Sequence, residues 1–85
     1  MPRYERVLER ILRAQSDANI DFSDLQNVLF RFGFEERARG SHHIFTRFDV
    51  ADILNLQPNG SKAKAYQVRQ VRGVLIKYRM VSDDE

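Results

Sequence analysis

Both histidines of the chain, His42 and His43, fall in the short segment RGSHHIF, Arg39 to Phe45. Imidazole is the side chain whose ordinary pKa lies nearest neutrality, so here the chain can accept and return protons near pH 7. Cations surround the segment. Arg37 and Arg39 precede or open it, and Lys62, Lys64, Arg69, Arg72, Lys77 and Arg79 lie between Ser61 and Met80, a stretch without Asp or Glu. Histidine moves a proton while cations stabilise the charge that builds on phosphate oxygens, so the set suggests phosphodiester cleavage. A cationic block also suits a polyanion, because each phosphate neutralised releases counterions. A solvated helix face explains the same block equally well.

Other chemistries have weaker support. The chain has no cysteine, which removes thiolate nucleophiles, disulfides and thiolate metal sites. Ser41 follows Gly40 and reads as a turn residue, since no third member of a nucleophilic triad stands out. The pairs Glu35 and Glu36, and Asp49 and Asp52, read as solvated charges rather than metal ligands, so neither a metal nor a cofactor is expected. Adjacent residues of a strand point to opposite faces, so His42 and His43 cannot both attend one phosphate. Alternation does not say which of them faces solvent, because Ile44, Phe45 and Phe48 put apolar groups on both sides.

The elements that must position these residues follow from periodicity. Tyr4, Val7, Leu8, Ile11 and Leu12 share one face of a helix predicted over 2–15, with Pro2 in its first turn and a break at Ser16 to Asn19. Its apolar stripe is expected to close the core, the alternative being a dimer or partner-protein contact. Phe22, Leu25, Val28, Leu29 and Phe32 define a second helix over 22–32, capped by Asp21 or Ser23 and stopped at Gly33 in a Schellman turn. Strands are predicted from Phe34 to Arg39 and from His42 to Phe48, joined at Gly40 and Ser41. Asp49 to Asp52 reads as a connection, Ile53 to Gln57 as a third strand, and Lys64 to Tyr78 as a last helix weakened at Gly73. The fold class expected is α+β, a three-stranded antiparallel sheet with helices on one face. Of the aromatic residues, Phe30 and Tyr66 are the candidates for exposure, the others for core packing.

Size and composition set limits. A chain of 85 residues forms one domain, 1–85, and buries about 60 to 65% of its unfolded surface, too little for a large enclosed substrate pocket. With 42% hydrophobic and 31% charged residues it has the composition of a folded domain rather than a disordered chain. The start, MPRYERVLER, is charged throughout, and no apolar run approaches a membrane span, so neither a secretory leader nor a membrane anchor is expected.

The segment GFEERARGSHHIF, the strand ILNLQP and the basic stretch NGSKAKAYQVRQVRGVLIKY, in that order, resemble the HicA family of toxin–antitoxin ribonucleases over roughly residues 22–80. The resemblance implies a fold similar to the double-stranded RNA-binding domain and metal-independent endoribonuclease activity on messenger RNA. It further implies inhibition by a HicB-like antitoxin protein and a place in the cytoplasm of a prokaryotic cell. It puts the catalytic histidine at His42, on the open face of the sheet, and leaves His43 structural, under a helix or at the sheet edge with a hydrogen-bond partner. The family's basic positions fall on Lys62 and Lys64, and with Arg37 and Arg39, the cations nearest His42 in sequence, and Ser41 beside it they make up the expected RNA contacts. The chain departs from many relatives in reading Lys64, Ala65, Tyr66, Gln67 where they carry Lys-Pro-Gly-Thr, and in adding the helix at 2–15. The alternative is a non-catalytic module of the same fold that holds double-stranded RNA or an acidic protein partner.

Overall fold

The computed structural model describes residues 2–81, leaving Met1 and 82–85, with the acidic run Asp83, Asp84, Glu85, outside the described residues. Helix α1 spans Arg3–Leu12, with Pro2 at its N-cap. Val7 and Ile11 are buried, and Tyr4, Leu8 and Leu12 are half-buried, so the stripe closes the core as expected. The helix ends before residue 15 because Ala14 and Ser16 take left-handed conformations, φ 55° and 60°, that cannot continue a right-handed helix. One 3-10 turn, Asp17–Asn19, then leads into helix α2, Phe22–Arg31.

Asp21 stands at the N-cap of α2 but makes no capping bond, contrary to the role expected of it. Its carboxylate is engaged by Lys62 Nζ at 2.7 Å, and the charge of Arg3 Nη2 lies at 3.8 Å. A full ion pair outcompetes a backbone N–H that water can satisfy. At the other end the Schellman stop forms as anticipated. Gly33 takes φ +86°, its N–H donates to the Phe30 carbonyl, and the N–H of buried Phe34 donates to the Leu29 carbonyl.

The sheet runs β1 (Glu35–Arg39), β2 (His42–Arg47), β3 (Val50–Leu56), antiparallel with β2 in the middle. The β1–β2 turn is two residues long, with φ +59° at Gly40, the position a type II′ hairpin reserves for glycine. The third strand starts at Val50, earlier than its sequence suggests. Arg47 pairs with Val50, so Phe48 and Asp49 alone turn the chain, and a bulge between Phe45 and Arg47 absorbs the irregular register. Asp52 gave this stretch the look of a loop. Within the strand its carboxylate accepts from Tyr78 Oη at 2.6 Å and Lys77 Nζ at 3.1 Å.

Helix α3, Ala65–Lys77, follows, with Lys64 at its N-cap. All helices cover one face of the sheet. Phe45, Leu54 and Leu56 are fully buried against Leu25, Val28 and Leu29 of α2, Val68, Val71 and Leu75 of α3, and Ile11 of α1. The other face carries Glu35, Arg37, Arg39, His42, Thr46, Ile53 and Asn55, all exposed. Among the described residues, no helix is long and apolar enough to cross a membrane.

Candidate functional site

Pairing in the sheet decides where the histidines go. His43 faces the helices with Phe45, while His42 faces solvent on the middle strand. His43 Nδ1 lies 2.7 Å from Glu36 Oε2, the Phe22 ring meets its ring edge-on at 4.9 Å, and Gln26 Nε2 donates to the same Glu36 oxygen at 2.7 Å. It is a histidine held under a helix, as expected of a structural residue. Glu36, by contrast, is no solvated charge: it is half-buried and tied to two side chains.

His42 Nδ1 lies 3.2 Å from Asn55 Oδ1 on β3. A carbonyl oxygen only accepts, so in this contact Nδ1 donates, and Nε2 is the ring nitrogen that Asn55 does not engage. Across the other edge, Arg39 is the direct β1 partner of His42, and Arg37 sits opposite Ile44 on the same open face. Directly opposed side chains have Cβ atoms roughly 4.5 to 5.5 Å apart and diagonal ones roughly 7 to 8 Å, so both guanidinium groups can attend an anion at His42. Ser41 Oγ, in the adjoining turn, accepts from Gln57 Nε2 at 2.9 Å. The arrangement is an exposed imidazole held at one nitrogen by an amide, with two exposed cations alongside.

Lys62 does not join them. Residues 61–63 are strapped antiparallel to 20–22, with the Phe22 N–H on the Ser61 carbonyl and the Ala63 N–H on the Ile20 carbonyl. That backbone pairing delivers the Lys62 ammonium to Asp21 in the helix layer, where it holds the Asp21 carboxyl below its usual range. Lys64, half-buried at the start of α3, has no acidic partner among the described residues. The cationic block is thinner than its sequence suggests, because Arg72 is bound by Asp17 and the Ile11 carbonyl, and Lys77 by Asp52.

Asn55 and Gln57 are site residues that sequence reasoning missed. Asn55 was detectable, since it alternates with Leu54 and Leu56 and must share the face of Ile53. Gln67 had no signal: it is the buried polar residue of α3, its Oε1 accepting the Gln57 N–H and its Nε2 donating to the Asn55 carbonyl, so it fastens the end of β3 under the site. Phe30 and Tyr66 are exposed, as anticipated, but so is Phe48, which projects from the β2–β3 turn with full exposure instead of packing. Among the described residues, no three His, Cys, Asp or Glu side chains converge as metal ligands. Compared with protein-family models, with curated proteins and with solved structures, the chain matches none.

Proposed function

We propose that this protein is a metal-independent endoribonuclease, the toxin of a HicA-type toxin–antitoxin pair, with His42 as its one acid–base group. The observation that carries the proposal is the exposed His42 ring, anchored at Nδ1 by Asn55 and flanked by Arg39. The order helix, three antiparallel strands, helix from α2 to α3 supports a double-stranded RNA-binding-domain-like fold, with α1 added to it.

In the proposed step, His42 Nε2 takes the proton of a ribose 2′-hydroxyl as the 2′-oxygen attacks the adjacent phosphorus. Arg39 and Arg37 stabilise the charge on the non-bridging oxygens. The bond from phosphorus to the 5′-oxygen breaks, the imidazolium returns its proton to that oxygen, and the products are a 2′,3′-cyclic phosphate and a free 5′-hydroxyl. The partner is a HicB-like antitoxin covering this face, and the setting is a prokaryotic cytoplasm.

The test is incubation of the pure protein with mixed RNA in the presence of a chelator. Cutting is expected to fall about 10²- to 10⁴-fold in His42→Ala. It should persist in His43→Ala at temperatures where that variant stays folded, and product ends should be cyclic or 3′-phosphates. RNA retained but never cut by the wild type would favour the binding module, and uncut RNA with no affinity at low salt would refute both.

A further inference from the structure

At the end of the sheet remote from His42, three arginines from three separate segments of the chain line one cavity. Arg31 is the last residue of α2, Arg47 the last of β2, and Arg79 follows α3. The cavity has a volume of about 600 Å³, is open to solvent, and has Asp49 as the one acid among its described lining residues. It lies roughly 17 Å along β2 from His42, given five residues at about 3.4 Å each, and on the helix-covered side.

The arginines are held differently. Arg47 Nε lies 2.9 Å from Asp49 Oδ1 in an ion pair that engages the inner nitrogen of its guanidinium. The Arg31 guanidinium lies over the Tyr4 ring, 4.3 Å from its centroid, which fixes the orientation of the group. Arg79 sits in the left-handed region at φ +56°, where the reversal after α3 places the Arg79 N–H on the Ile76 carbonyl and the Met80 N–H on the Leu75 carbonyl. Glycine suits that position, since a β-carbon is strained there.

The helix dipoles account for part of this. Cations near the ends of α2 and α3 complement the carbonyls there, and those carbonyls weaken the pull on an anion. That does not explain Arg47, which arrives from the sheet. Nor does it explain Arg79 where glycine would be relaxed. The terminal carbonyls are also already accepting the N–H groups of the two reversals.

Three cations against one acid match a group with close to two negative charges, the charge of a phosphate monoester near neutral pH. Arginine forks bind such oxygens bidentately. The volume falls in the range of small-ligand sites, about 300 to 1,000 Å³. Phe32 and the Tyr78 ring, whose hydroxyl is fixed on Asp52, add apolar wall for an organic body. We propose that the cavity binds a phosphate monoester on a body of mononucleotide size, either free or at the end of an RNA strand. The site is separate from His42 and does not rest on the nuclease reading.

The experiment is calorimetric titration at moderate salt of the His42→Ala protein, which leaves RNA probes intact. The probes are adenosine 5′-monophosphate, adenosine, and a short oligoribonucleotide with a 5′-phosphate or a 5′-hydroxyl. At least one phosphorylated probe should bind at least tenfold more tightly than its unphosphorylated partner. Selectivity for the mononucleotide identifies a free ligand, and selectivity for the oligonucleotide alone an RNA end. Arg79→Gly relieves backbone strain, so this variant should melt no lower than its parent, yet lose about tenfold in affinity, as should Arg47→Gln. Equal binding of phosphorylated and unphosphorylated probes, or unchanged affinity in Arg79→Gly, would overturn the proposal.

Discussion

At the scale of single residues, the position of His42 on the surface matters less than the atom it leaves unpartnered. Asn55 engages Nδ1 and leaves Nε2 as the nitrogen for an incoming group. Under the nuclease proposal Asn55 is a positioning residue, because it touches the histidine and not the substrate. Asn55→Ala should lower kcat roughly ten- to hundredfold, as loss of an orienting partner commonly does. KM and the unfolding midpoint should stay near wild type, since the side chain is exposed, and Asn55→Asp, which keeps the acceptor, should recover part of the rate. An equal loss in both variants, or a change in KM alone, would remove Asn55 from this role. His43 illustrates the opposite case. Its neighbour Glu36 is half-buried, so His43→Ala withdraws one of two partners from a desolvated carboxylate. The expected cost is about 1 to 3 kcal/mol, read as a lower denaturant midpoint. The separation of the two histidines was legible in the sequence because strand alternation is geometric. The identity of their partners was not, because Asn55 and Glu36 arrive through strand register.

At the scale of elements, α3 is fastened to β3 through Asp52. Tyr78 donates to its carboxylate and Lys77 pairs with it, and together they hold the carboxyl below its usual pKa. A carboxyl whose folded pKa is depressed adds stability above its unfolded pKa, near 3.8, and loses it as pH falls through the lower folded value. Unfolding midpoints of wild type and Asp52→Asn should therefore differ by a constant amount above about pH 5 and converge in more acidic solution. A gap independent of pH would show that the charge of Asp52 contributes nothing. Asp21, lowered by Lys62, acts in the same direction. The element boundaries show where local signals suffice. Gly33 and Gly40 marked their turns correctly because φ near +60° to +90° penalises any β-carbon. The start of β3 was misread because Asp52 looks polar and loop-like until Tyr78 and Lys77 are brought beside it.

At the scale of the whole molecule, α1 is part of the core rather than an appendage. Ile11 is fully buried, and Arg72 of α3 reaches the Ile11 carbonyl at 2.9 Å and Asp17 at 3.1 Å. Ile11→Ala should cost about 2 to 5 kcal/mol and lower the midpoint of one cooperative transition. A loss under 1 kcal/mol, or a separate early transition, would mean that α1 folds onto a core already complete without it.

The amino-acid sequence by itself determined the fold class, the order of the elements, the two glycine turns and the assignment of the histidines to opposite faces. Each depends on spacing within a few residues. Tertiary structure alone decided which cations remain free. Arg72, Lys77 and Lys62 read as one basic block, yet each is claimed by an aspartate 25 to 55 residues away in sequence. It also brought Arg31, Arg47 and Arg79, far apart along the chain, to the rim of one cavity. Charge pairing between distant segments depends on how helices and strands pack, and no local periodicity encodes that packing.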